Sequence, residues 1–205
     1  MSSDSTPKQR PTSRPERKKM GKALRQQVPF GSHGKWAPAA GRPDPLALLQ
    51  AQDKGRVKSL LPIKYGRMLV SPFTFYRGSA VIMAADLAGT PATGLEAVLC
   101  GDAHLSNFGI FASPERRMVF DINDFDEAFP GPWEWDLKRL AASAVIAGRD
   151  NGFSEATCRD LAADTFALGL TRKALRSRTD EEHDRCDSRR AGCVVARGAC
   201  RRTSA

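Results

Sequence analysis

The strongest constraint on this chain is where its charge sits. Residues 1–25 carry eight Lys and Arg against two acids, and 172–205 carry ten against five, whereas 26–171 hold fourteen bases and sixteen acids. Segments dense in like charge and poor in large apolar residues cannot offset the entropy lost on ordering, so a core has to come from the middle. Taken whole, the net charge of +9 would point to a nucleic acid or an anionic membrane. Located along the chain, the excess lies outside a slightly acidic centre. We therefore expect a disordered basic arm over 1–27, one folded domain over 28–175 and an irregular basic tail over 176–205. The tail is rich in Arg, Ala, Gly, Cys and Ser, a composition that out-of-frame reading of GC-rich DNA produces.

The 41% hydrophobic content suffices for one ordinary domain. No apolar run approaches the roughly 20 residues of a membrane helix, and the N-terminus has no signal-peptide apolar region, so the expectation is a cytoplasmic protein without a transmembrane segment. Cys100 and Cys158 lie in apolar stretches and read as buried. Cys186, Cys193 and Cys200 recur without a C-x-x-C pair and with only His183 nearby, which argues against zinc.

Asp44 followed by Leu46, Leu48 and Leu49 predicts a short helix from Pro45 to Arg56. Ser71 to Phe75, closed by Pro72, reads as extended or turn-like, and Gly78 to Ala88 has helical period. Leu95 to Cys100 is a compact apolar strand. Phe108–Phe111 and Met118–Ile122 flank a turn at 112–117 and predict a hairpin. Helices are expected over 133–147 and over 154–170, the second opened by Ser154-x-x-Thr157. The fold class is α+β, with an acidic β-hairpin packed on helices.

The chemistry concentrates in Cys100-Gly101-Asp102-Ala103-His104-Leu105-Ser106-Asn107 and in Asp121-Ile122-Asn123-Asp124-Phe125-Asp126-Glu127. An Asp at a strand exit with an Asn five residues later is the spacing of a phosphotransferase loop, D-x-x-x-x-N. One turn of loop lets the Asp face an acceptor hydroxyl while the Asn amide oxygen faces a metal. Mg²⁺ needs a further oxygen ligand, for which Asp124 on the neighbouring hairpin is placed. A calcium loop over 121–132 fails, because Asp126 stands where Gly is required and Pro132 where the bidentate Glu belongs. A P-loop at 31–35 fails at Pro29 and Trp36. Asp124-Phe125-Asp126 is also a D-x-D, a three-residue signal of metal-dependent glycosyl transfer.

Residues 71–80 (SPFTFYRGSA), 100–111 (CGDAHLSNFGIF) and 119–143 (VFDINDFDEAFPGPWEWDLKRLAAS) closely resemble the bacterial family DUF2252, over roughly 40–170. Their C-G-D-x-H-x-x-N and N-D-F-D segments are also similar to motifs of aminoglycoside phosphotransferases and other kinase-like enzymes. This second resemblance implies a partial kinase-like catalytic lobe. It implies Asp102 as catalytic base or hydroxyl-orienting residue, Asn107 and Asp124 as metal ligands, and Asp136 as the structural Asp that caps backbone N–H groups where the next helix opens. Mg²⁺ and ATP would be the cofactors, and a nucleotide and a hydroxyl acceptor the partners. Departures are Cys100 where His is usual, Asp126 where protein kinases have Gly, and no phosphate-cradling loop. From that absence we expect a truncated member, compromised in activity.

Arg77 suits a phosphate or one of the carboxylates equally well, and is the candidate cofactor-binding residue. His104 and Asp126 are expected to be structural or supporting, like Asp121 and Glu127. Trp133 and Trp135 read as packing anchors. Two other readings stand: a non-catalytic fragment or binding module whose acids satisfy turns, and a nucleic-acid binder acting through the basic N-terminal arm. Nucleic acid is not the expected partner, a solubilising tail being the simpler account of that arm.

Overall fold

A computed structural model describes residues 13–175. The tail from 176, with Cys186, Cys193 and Cys200, lies outside the described residues. The first finding is a correction. Part of the segment expected to be disordered is a helix, α1 (Arg14–Gln27), opened by a reciprocal capping box. The Glu16 N–H donates to Ser13 Oγ at 3.4 Å, and the Ser13 N–H donates to Glu16 Oε2 at 2.9 Å. Ser13-x-x-Glu16 with Pro15 in the first turn is a start signal that the charge run masked. No residue of α1 is buried.

A short α2 (Phe30–His33) covers the stretch considered as a P-loop. Helix α3 (Pro45–Asp53) starts where expected, with Asp44 accepting from the Ala47 N–H at 3.0 Å. A 3-10 turn (Lys58–Leu60) and α4 (Leu61–Met68) were not anticipated. The segment read as extended is a helix, α5 (Pro72–Arg77). Its Ser71 and Thr74 form a second capping box, and Pro72 falls in the first turn, where a missing N–H costs nothing. Helix α6 (Ala80–Leu87) follows.

Two antiparallel ribbons come next. Strand β1 (Glu96–Leu99) pairs with β4 (Phe129–Pro132), Leu99 opposite Phe129. A proline-bearing strand is tolerated there because a two-stranded ribbon leaves one edge of each strand without ladder partners. Strands β2 (Phe108–Ala112) and β3 (Met118–Ile122) form the expected hairpin, Phe108 opposite Ile122. Helix α7 (Glu134–Asp150) then packs against α8 (Glu155–Leu175). At their contact a Cβ on Gly148 would stand 2.8 Å from Cys158 Sγ, and Cys158 is fully buried. The two helices approach this closely because position 148 lacks a side chain.

The buried apolar residues are Leu49, Met68, Leu87, Leu99, Cys100, Ala103, Leu137, Ala144 and Cys158. They come from α3, α4, α6, the β1 exit, α7 and α8, so the core lies directly behind the loop that leaves β1. Each fully buried Leu among them contributes on the order of 1.5–3 kcal/mol. Among the described residues no helix is long and apolar enough to cross a membrane.

Candidate functional site

The site begins where β1 ends. Gly101 turns the chain at φ +80, and a Cβ there would stand 2.0 Å from the Glu127 carbonyl oxygen. Only glycine combines that backbone with so close an approach. Beneath the turn, Asp136 from the first turn of α7 accepts the Cys100 N–H at 2.9 Å on Oδ2 and the Gly101 N–H at 3.2 Å on Oδ1. Asp136 therefore fastens the strand exit to the helix, whereas the reading from sequence had it capping its own helix start. Glu134 lies beside it in α7 and accepts from Thr93 N–H and Oγ1 instead.

The loop then closes on itself. Asn107 Nδ2 donates to the Asp102 carbonyl at 2.7 Å, and the backbone N–H groups of His104 and Asn107 donate to Asp102 O and His104 O. Ser143 of α7, fully buried, accepts the Leu105 N–H at 3.1 Å. Asn107 is itself buried, and its Oδ1 takes no hydrogen bond among the described residues.

The Asp102 carboxylate meets a partner that the sequence reading missed. Arg139, 2% exposed, donates through Nε to Asp102 Oδ1 at 2.6 Å, and its Nη2 contacts the same oxygen. Tyr76 holds the guanidinium in place. Its carbonyl accepts from Nη2 at 2.8 Å, its hydroxyl donates to Arg139 O at 2.8 Å, and its ring lies 4.3 Å from the guanidinium carbon. Burial pushes the Tyr76 phenol up. The only signal available was Arg139 standing three residues after Asp136, hence one turn along the same helix face.

His104 is 3% exposed, its Nε2 is 3.5 Å from Asp102 Oδ2, and its Nδ1 is buried without a partner among the described residues. Burial lowers its pKa most. Asp102 opposes that shift, and the cations Arg139 and Arg77 add to it. Burial thus favours the neutral imidazole. Burial and then the Asp136 carboxylate push the Cys100 thiol up to about 12, which disfavours a thiolate there.

The acidic turn docks on this loop through backbone. The Asn123 N–H donates to Asn107 O at 3.0 Å, and Asn123 Nδ2 lies where a Cβ on Gly109 would stand 2.8 Å away. Asp124 is exposed, and its Oδ1 accepts the Asp126 N–H at 3.1 Å. Asp126 is exposed as well, and its backbone N–H makes that bond. Glu127 receives Gln52 Nε2 at 3.4 Å and lies 3.7 Å from Arg56, a rim pair worth little.

The structure therefore brings buried His104 and Asn107 and half-buried Asp102 and Asp136 into one unit and seats the turn bearing Asp124 and Asp126 beside it. Arg77 is the exception. It ends α5 exposed, with no hydrogen bond or ion pair among the described residues, and acts on the unit only through its charge near His104. The ion pair considered for it is made by Arg139. Trp133 donates to Thr93 Oγ1 at 2.9 Å, and Trp135 packs edge-on to Phe129 at 5.9 Å, as packing anchors do. As for a metal, no group of three or more His, Cys, Asp or Glu able to hold one occurs among the described residues. Of the expected ligands, Asn107 is buried and Asp124 exposed, and Asp102 Oδ1 is already taken by the Arg139 guanidinium.

Residues 56–192 match a protein family described as "Uncharacterized protein conserved in bacteria (DUF2252)". The match takes in α4 to α8 and the whole site, leaves out α1 to α3, and runs on past the described residues. Nothing among curated proteins or solved structures matches the chain.

Proposed function

Since the chain belongs to the DUF2252 family, we propose that its activity is Mg²⁺-dependent phosphoryl transfer from ATP to a hydroxyl acceptor, on a kinase-like loop. The observation that carries this reading is the 2.7 Å bond from Asn107 Nδ2 to Asp102 O. It ties the two ends of the D-x-x-x-x-N loop with the amide nitrogen and leaves the amide oxygen as a ligand. Bound Mg²⁺ would neutralise charge on the phosphate oxygens. Asn107 Oδ1 and Asp124 are the residues to hold it. Asp102 keeps Oδ1 on Arg139, so Oδ2 is the atom that orients an acceptor hydroxyl. The neutral His104 beside Oδ2 adds no second positive charge there. Arg77, exposed at the end of α5, is the group to pair a phosphate.

One observation favours a second reading, a non-catalytic module. Asp102 is already paired with a buried arginine, and a buried ion pair is sufficient reason for an acid at that position.

The two separate in a thermal melt of the full chain with and without Mg²⁺ and ATP. Phosphotransfer chemistry predicts a rise in Tm that needs both ligands. It also predicts that Asp124→Asn, an exposed change, removes the rise while leaving the stability of the unliganded chain within about 0.5 kcal/mol of the parent's. Absence of any rise in the unaltered chain supports the module.

A further inference from the structure

The helix within the segment expected to be a disordered arm changes what its charge can do. At 100° per residue, Arg14, Lys18, Lys22 and Arg25 of α1 fall within about 80° of one another, a single stripe along the helix. All four are exposed and make no hydrogen bond or ion pair among the described residues. Glu16, the one acid of α1, lies on the other side, engaged in the capping box with Ser13. Met20 and Leu24 also face away from the stripe and are half-buried.

Like charges at i,i+4 and i,i+3 repel, as Arg14–Lys18, Lys18–Lys22 and Lys22–Arg25 must, and a helix carrying them is relieved by an anionic partner. From residue 14 to residue 25 the stripe runs about 16 Å, which spans roughly five phosphates of one strand at 3.4 Å each.

We propose that α1 is a docking helix for the phosphate backbone of a nucleic acid, using Arg14, Lys18, Lys22 and Arg25 without reading sequence. A membrane surface fits this helix less well. Lipid insertion needs a free apolar face, and Met20 and Leu24 are already half covered. The proposal is independent of the phosphotransfer reading, because α1 lies outside both the candidate site and the matched residues 56–192.

The test is binding of the full chain to a labelled mixed-sequence DNA duplex over a range of salt. Four phosphate contacts predict a slope of log K against log salt near −3.6, so that a fourfold rise in salt weakens binding about 150-fold. Lys18→Gln with Lys22→Gln keeps good helix formers and halves the contacts. Its slope should fall to about −1.8, a loss of about 12-fold over the same range. A control removing two exposed bases elsewhere, Lys54→Gln with Arg67→Gln, should retain the original slope. Equal loss in the two double variants would show a mere net-charge effect and overturn the proposal. So would absence of duplex binding, or binding to phosphatidylserine vesicles without binding to the duplex.

Discussion

Arg139 Nε donates to Asp102 Oδ1 at 2.6 Å, joining the acid that opens the D-x-x-x-x-N loop to a base 37 residues downstream in α7. Because Tyr76 grips the same guanidinium from α5, three elements meet at one buried ion pair. The loop geometry is thus a property of the helical layer beneath it as much as of the loop.

Removing one partner of a buried pair leaves an uncompensated charge. Arg139→Ala should cost about 3–5 kcal/mol, read as a lower urea midpoint. Arg139→Lys restores the charge without the fork that serves Asp102 and Tyr76 together, and should recover only part of the loss. Equal stability of the Ala variant and the parent would show the pair to be dispensable.

Glycines with positive φ offer a controlled comparison. Gly101 and Gly152 both adopt it, at +80 and +73, but a Cβ at 101 meets the Glu127 carbonyl while one at 152 meets nothing within 4 Å. Gly152→Ala should cost about 1–2 kcal/mol, the backbone term alone. Gly101→Ala adds a clash with backbone and should cost distinctly more. Similar melting losses for the two would mean that the 127 segment moves aside freely.

Asp136→Ala should orphan the Cys100 and Gly101 amides. A buried unsatisfied N–H costs about 1–3 kcal/mol, and Asn, with one accepting oxygen, can restore only one of the two. Hydrogen exchange at these amides should accelerate in the order parent, Asn, Ala. Unchanged protection at both in the Ala variant would remove Asp136 from this role.

Acidification should destabilise the fold first through histidine. His104 in the folded protein lies below its unfolded value of about 6.5, so the unfolded chain binds more protons between the two values, and stability falls as pH drops through about 6.5. His33 is lowered too, by burial first and then by Lys138, and acts with the same sign. Carboxylates held low, such as Asp53 beside Lys64 and Tyr65, lose their contribution only near and below about pH 4. Urea midpoints compared between about pH 7.5 and 5 should therefore fall less in a His104→Gln variant than in the parent. An equal fall would assign the loss elsewhere.

Local signals carried much of this fold. Asp44 and Ser154 cap their helices as their sequence context predicts, and the alternation of Met118, Phe120 and Ile122 became a hairpin strand. Two capping boxes, at Ser13 and Ser71, were equally local but lay under a charge run and a proline. Of the site, the motif spacing alone singled out Asp102, Asn107 and Asp124. Arg139 was invisible, because an arginine on an amphipathic helix looks alike whether it faces water or a buried acid. Only packing decides which.

What the sequence determined by itself is which residues bear chemistry and which short segments turn or cap, since those depend on neighbours within a few positions. The tertiary structure alone decided that Asp102 is paired, that Asp136 serves the β1 exit, and that Arg77 faces solvent. Each of these rests on contacts between residues more than thirty positions apart, or on their absence, and such contacts exist only once the core has closed.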